Sequence, residues 1–302
     1  MFNSPQELTA FVLKQMERTE DARTREIFTQ LVTHLHAFIK ASKLTEAEFH
    51  MACTLIAKLG QQSNPSHNEV TLMAGSLGVS ALVCLQNNGQ GGTQPTTANL
   101  MGPFWRDDSP ITPSGGSLLR SKTAGDRVWV NAYVKDFNEK PIADARVDVW
   151  HSSNEGLYEN QDTKQAEMNL RGRFITDENG HFQFETIKPS GYPIPINGLV
   201  GDLLKQLGRH NMRPAHLHFL VFKDGLKTQF SQVYSNDDPY LETDVQFGVT
   251  HALVGQYVRH LKEPFPTDQE IGDWWSLDFT FKVEPGHSYL PKPPITQKRS
   301  SS

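Results

Sequence analysis

"RVWVNAYVKD", residues 127–136, decides the fold: Val128, Val130, Ala132 and Val134 alternate with Trp129, Asn131 and Tyr133. Successive side chains of a strand point to opposite faces, so this period of two predicts a strand with one face in a core. The same period recurs downstream. Ala145, Val147 and Val149 alternate with Arg146, Asp148 and Trp150, Phe182, Phe184 and Thr186 follow the turn "TDENGH", and Leu277, Phe279, Phe281 and Val283 repeat the pattern near the end. Short strands punctuated by turn residues such as "DFNEKP" predict an antiparallel β-sandwich over residues 101–290.

Upstream the period becomes helical. Ser4-Pro5-Gln6-Glu7 has the order of a capping box with proline at the first helical position, ahead of Leu8, Phe11 and Val12. Ile27, Phe28, Leu31, Val32, Leu35, Phe38 and Ile39 form a second stripe. Thr45 to Glu48 repeats the capping box before Phe49, Ala52, Cys53, Ile56 and Leu59, with Gly60 expected as the stop. A fourth helix is expected around Glu69 to Leu85, ending in "NNGQGGTQPTT", which reads as a linker or lid loop. The expected class is mostly β with a helical N-terminal part (α+β): helices over 1–100, the sandwich over 101–290 and a loose tail over 291–302.

A chain of 302 residues can bury a sizeable core, and a formal charge of −5 with a pI near 6.2 argues against a nucleic-acid partner. No apolar run reaches membrane-spanning length, and "MFNSPQELTAF" lacks the charged and apolar regions of a signal peptide. Cys53 and Cys84 fall in helix-like apolar stretches and are expected to be buried free thiols in a cytoplasmic protein.

The chemistry concentrates in "GYPIPINGLVGDLLKQLGRHNMRPAHLHFLV", residues 191–221. His216 and His218, two apart on a strand, project from one face and offer two nitrogen donors to a metal. A cupin would want a glutamate soon afterwards, where this chain reads "FLVFKDG", and an amidohydrolase would want a parallel barrel. A zinc site would want a third ligand, for which His210 and His251 are unremarkable candidates. Tyr158 in "GLYENQD" and Tyr192 in "PSGYPIP" sit beside turn residues. A phenol has a pKa of about 10 and becomes a ligand near neutral pH only beside a strongly Lewis-acidic cation such as ferric iron. The alternative for each tyrosine is a packed ring with a satisfied hydroxyl.

Four blocks, "NLMGPFWRDDSP", "ARVDVWHSSNEGLYENQD", "RFITDENGHFQFETIKPSGYPIP" and "MRPAHLHFLV", resemble in order those of the intradiol ring-cleavage dioxygenases. "YPIPINGLVGDLLKQLGRH" looks closest to the hydroxyquinol 1,2-dioxygenases, with catechol and chlorocatechol enzymes as neighbours. The resemblance implies one Fe(III) per subunit on Tyr158, Tyr192, His216 and His218, with Tyr192 also the displaceable ligand and base. It further implies that Arg213 stabilises anionic character on the substrate ring and that Gln232 orients the iron-bound group. The substrate pocket would be Leu72, Gly102, Pro103, Phe104, Ile194 and Pro195, with Gly75 standing where hydroxyquinol enzymes carry an acidic residue. Expected partners are a small aromatic diol or triol, O2, a second subunit docked through the N-terminal helices and a phospholipid held between the two. The rival readings are a zinc hydrolase using His216, His218 and a third ligand, and a non-catalytic prealbumin-like binding sandwich.

Overall fold

The computed structural model describes residues 2–64 and 68–295. The chain divides into two compact units, Met1–Gly60 and Gln61–Ser302. The boundary expected near residue 100 separates helices from strands, whereas compactness divides the chain earlier.

The first unit contains α1 (Pro5–Met16), α2 (Ala22–Ser42) and most of α3 (Glu46–Gln62). Ser4 Oγ accepts from Glu7 N, and at α3 Thr45 and Glu48 exchange bonds as a reciprocal capping box. α2 ends at Lys43 in the left-handed region (φ 51°). Gly60 does not end α3, because it stays out of the left-handed conformation that a glycine stop requires and the helix runs on to Gln62. α1 and α2 bury no residue, and Ile27, Phe28, Leu31, Leu35 and Phe38 are each about half exposed. The reading of the thiols is corrected: both cysteines are free, but Cys53, on α3, is exposed and Cys84, in the second unit, is only half-buried.

In the second unit the expected fourth helix is two, α4 (Glu69–Ser76) and α5 (Val79–Asn87), bent by 75° at Gly78, whose φ of 73° breaks the helical path. A four-residue turn, α6 (Gly89–Gly92), follows, with Gln90 and Gly91 at positive φ. No single helix among the described residues is long and apolar enough to cross a membrane. Glu69 is buried and its Oε1 accepts from Val200 N at 2.8 Å, which ties α4 to the start of α7 (Leu199–Gln206).

The strands are β1 (Arg127–Asp136), β2 (Arg146–His151), β3 (Arg171–Ile175), β4 (His181–Ile187), β7 (His216–Phe222), β8 (Gln229–Ser235), β9 (Val254–Pro264) and β10 (Ile271–Val283), with a small separate pair β5 (Tyr192–Pro193) and β6 (Met212–Arg213). The eight run in the order β3-β2-β7-β8-β9-β10-β1-β4. Val128, Val130, Ala132 and Val134 are fully buried, as their alternation predicts. The plain antiparallel sandwich is corrected, because β1 pairs with β10 in parallel and β8 with β9 in parallel. The β8–β9 link is only two residue pairs long, so the sheet folds over there and its halves face each other across one core.

The two outer edges nearly meet. Phe174 of β3 stacks 5.0 Å from Phe184 of β4, and the segment 110–118 bonds to both edges: Thr112 N donates to Arg173 O at 2.8 Å, and Leu118 N to Glu185 O at 2.9 Å. The result is close to a barrel, with both edge strands covered. Of the expected loose tail, residues 291–295 carry no regular structure and residues 296–302 lie outside the described residues.

Candidate active site

β7 places His216 and His218 on one face, and both are buried. His216 Nδ1 lies 2.7 Å from Pro214 O, an acceptor only, so Nδ1 carries the proton and the Nε2 lone pair points away from it. His216 Nε2 lies 3.1 Å from His218 Nε2 and 3.4 Å from the Tyr192 hydroxyl, which lies 3.2 Å from the Tyr158 hydroxyl. Two oxygens and two nitrogens from three chain segments therefore converge.

Trp150 stacks on the His218 ring at 4.8 Å and 7° and fixes its plane. Gly102, with φ 72°, comes so close that a Cβ there would lie 2.9 Å from His218 Cε1. Gly156 does the same against Tyr192, where a Cβ would meet Tyr192 Cβ at 2.8 Å. These glycines permit the loops to close on the donors.

Burial, then the nearby Arg213 guanidinium, pushes His216 down to about 3, and burial together with His216 pushes His218 well below the usual range. Both imidazoles are neutral donors. Burial raises the phenols of Tyr158 and Tyr192, so both stay protonated until a cation offsets the cost of the phenolate. The tyrosines differ in setting: Tyr158 is fully buried, whereas Tyr192 is half-buried in the two-residue strand β5, followed by an exposed Pro193.

Arg213 is buried beside this group. Its Nε donates to Asp244 Oδ1 at 3.1 Å, and its Nη2 donates to Asp244 Oδ2, Gln232 Oε1 and the Tyr234 hydroxyl at 3.0, 2.9 and 2.8 Å. Gln232 also donates from Nε2 to Leu100 O at 2.8 Å and accepts from the Tyr234 hydroxyl, so its amide is engaged with the arginine clamp. Sequence reading missed Tyr234 and Asp244. Tyr234 carried a signal, since it lies two residues from Gln232 on β8 and the register sets His216 opposite Tyr234 and His218 opposite Gln232. Asp244, in the irregular "ETDVQFG", carried none.

Among the pocket candidates, Phe104 packs its ring 4.4 Å from Tyr158, and Gly102 touches His218. Ile194 is buried, with its N–H donating to Asn211 O at 2.8 Å, while Pro103 and Pro195 are exposed. Leu72 is half-buried on α4. Gly75, also on α4, is buried against the 244–248 loop: a Cβ there would lie 1.8 Å from Gln246 Oε1, and Gln246 Nε2 donates to Ser76 Oγ at 3.0 Å.

A family model described as "Dioxygenase" matches residues 100–278, and one described as "Catechol dioxygenase N terminus" matches residues 21–93. A hydroxyquinol 1,2-dioxygenase of Rhizobium sp. is 36% identical over 276 residues, covering 89% of this chain and 92% of the relative. This chain is an intradiol ring-cleavage dioxygenase. A catechol 1,2-dioxygenase of Candida albicans is 35% identical over 77% of each chain. The crystal structure of a hydroxyquinol 1,2-dioxygenase from Pseudomonas putida DLL-E4 matches with a TM-score of 0.83 at 30% identity, covering 93% of this chain and 99% of that one.

The family uses non-haem iron, and the donors found here fit it. A deprotonated Nε2 on His216, a neutral His218 whose Nδ1 is buried without a partner, and two phenols at 3.2 Å suit a hard trivalent cation. They do not suit the zinc reading. Among the described residues no three or more His, Cys, Asp or Glu side chains gather as a metal site, and His210 and His251 are both exposed.

Proposed function

We propose that this dioxygenase cleaves hydroxyquinol with O2 between its two adjacent hydroxyl-bearing carbons, giving a hydroxymuconate-type diacid. The observation that carries the reading is the convergence of the Tyr158, Tyr192, His216 and His218 donor atoms at 3.1 to 3.4 Å beside a buried, clamped Arg213. The four would hold one Fe(III) per subunit. Held there, a ferric ion would supply the Lewis acidity that favours the deprotonated substrate and makes its ring reactive toward O2.

The chain's own groups divide the remaining work. Tyr192, less buried and on a two-residue strand, is the group able to swing away and, as the phenolate that a bound cation would stabilise, to take a substrate proton at its phenolate oxygen. Arg213 remains cationic and fixed by Asp244, and stabilises negative charge developing on the ring. Gln232 and Tyr234 hold that guanidinium in place. Phe104 and Gly102 supply wall close to the donors, and Leu72, Gly75, Pro103, Ile194 and Pro195 are proposed to complete the pocket.

Support for hydroxyquinol over catechol comes from the relatives, several of which bear the hydroxyquinol name at 32–36% identity. Oxygen uptake by the iron-loaded protein with hydroxyquinol, catechol and chlorocatechols tests it, with the highest kcat/KM expected on hydroxyquinol. A preference for catechol overturns the substrate assignment. A colourless protein carrying zinc in place of iron overturns the chemistry.

We further propose a cytoplasmic homodimer built through the helices of residues 1–100, with a phospholipid at its interface. The exposed apolar faces of α1 to α3 and two free cysteines support this. Light scattering and mass spectrometry of extracted lipid test it.

A further inference from the structure

Next to Tyr158 lies a buried charge cluster that the proposed chemistry does not use. Glu159 is fully buried, and its Oε1 accepts from Arg171 Nε at 2.7 Å and from Arg106 Nη1 at 3.1 Å. Arg171, 1% exposed, also donates from Nη1 to Phe104 O at 2.7 Å and from Nη2 to Asn160 Oδ1 at 3.2 Å. One guanidinium thus grips two segments: residues 159 and 160, directly after Tyr158, and Phe104, whose ring packs on the Tyr158 ring.

Burying ions in this way is a poor source of stability, since apolar residues of similar volume do as well or better. What a planar, multidentate guanidinium supplies is geometry. Tyr192 is held differently: β5 is two residues long, its partner β6 is equally short, and the neutral amide of Asn211 donates to Ile194 O at 2.9 Å where buried guanidinium groups grip the segment after Tyr158.

We infer that Arg171 is a positioning residue for Tyr158, acting through Glu159, Asn160 and Phe104 to hold the Tyr158 hydroxyl at the donor group. The inference rests on the proposed reading of Tyr158 as an iron ligand. It assigns a role to a side chain that touches neither substrate nor metal.

The test uses the full-length, iron-loaded protein and four variants: Arg171→Lys, Asn160→Ala, Tyr158→Phe, and Arg173→Lys as a control. Arg173 pairs with Asp148, a partly buried ion pair that does not bond to the Tyr158 loop. Measured are the rate of iron loss to a chelator, the position of the tyrosinate-to-iron absorption band, and Tm with and without iron. Arg171→Lys is expected to lose iron about tenfold faster or more, with a displaced band and a smaller Tm gain on iron loading. Asn160→Ala should move all three in the same direction by less, and Arg173→Lys should lower Tm equally with and without iron. Wild-type iron loss and an unmoved band in both Arg171→Lys and Asn160→Ala overturn the inference, even if their iron-free Tm falls. Should Arg171→Lys fail to fold, Asn160→Ala decides alone. If Tyr158→Phe keeps its iron and band, the ligand reading itself fails. If it loses them while the other two variants do not, only the positioning role fails.

Discussion

Arg213 reaches Asp244 with two donors, Nε to Oδ1 at 3.1 Å and Nη2 to Oδ2 at 3.0 Å, and both side chains are buried. A guanidinium in that setting needs its counter-ion. Asp244 also accepts from Gln246 N and Gly248 N, so the carboxylate is itself held in place.

Asp244→Asn keeps the shape and removes the charge. Leaving Arg213 unpaired is expected to cost about 3 kcal/mol and to lower kcat more than it raises KM, because the arginine loses its fixed position. Denaturant unfolding and steady-state oxygen uptake check the two parts.

The same pair sets an acid limit. Burial by itself would raise the Asp244 carboxyl, but Arg213 and the backbone N–H groups of Gly248 and Gln246 outweigh it and hold it below the usual carboxylate range. Its folded pKa is lower than its unfolded one. The stability it contributes is therefore present above about pH 4 and lost as pH falls below that value. Unfolding of the wild type between pH 5 and 3 should show this loss, and Asp244→Asn should show less of it.

His151 gives a second, separable pH effect. It is buried, its ring nitrogens lie 2.6 Å from Thr186 Oγ1 and 2.7 Å from Ser152 O, and burial pushes it down to about 4. The unfolded chain takes up this proton near pH 6.5 and the native chain does not, so stability falls as pH drops from about 6.5 to about 4, by about 3 kcal/mol. Iron-free His151→Gln should have a shallower slope over that window than iron-free wild type.

Gly75 and Gln246 compete for one volume. Gly75→Ala must push the Gln246 amide away and break its bond to Ser76, costing about 1 kcal/mol. The double variant Gly75→Ala/Gln246→Ala relieves the clash, and a double-mutant cycle should return a favourable coupling of similar size.

Gly102→Ala is expected to strain a left-handed backbone and press on His218, costing about 1–2 kcal/mol. Its distinctive outcome is weaker iron retention, measured by chelator challenge alongside Tm.

Strands declared themselves because burial on one face imposes a period that each segment carries internally, as Val128 to Val134 do. Pairing direction was not legible in the same way. Nothing local to 127–136 or 271–283 states that these strands, far apart in the chain, lie side by side in parallel. The helices were legible at their capping boxes and misread at Gly60 and Gly78, since a glycine's φ is set by its surroundings rather than by its identity. The exposure of Cys53 was missed because apolar periodicity marks a face without saying whether anything covers it.

The sequence by itself determined the chemistry on offer: a histidine pair two apart on a strand, tyrosines beside turns, an arginine just before the pair. Tertiary structure decided which of these meet. Tyr158 and Tyr192 come within 3.2 Å across 34 residues, and Asp244 crosses 31 to clamp Arg213. The physical reason is range. Periodicity and capping act over one or two turns of chain, whereas a buried polar group must find its partner wherever packing brings one.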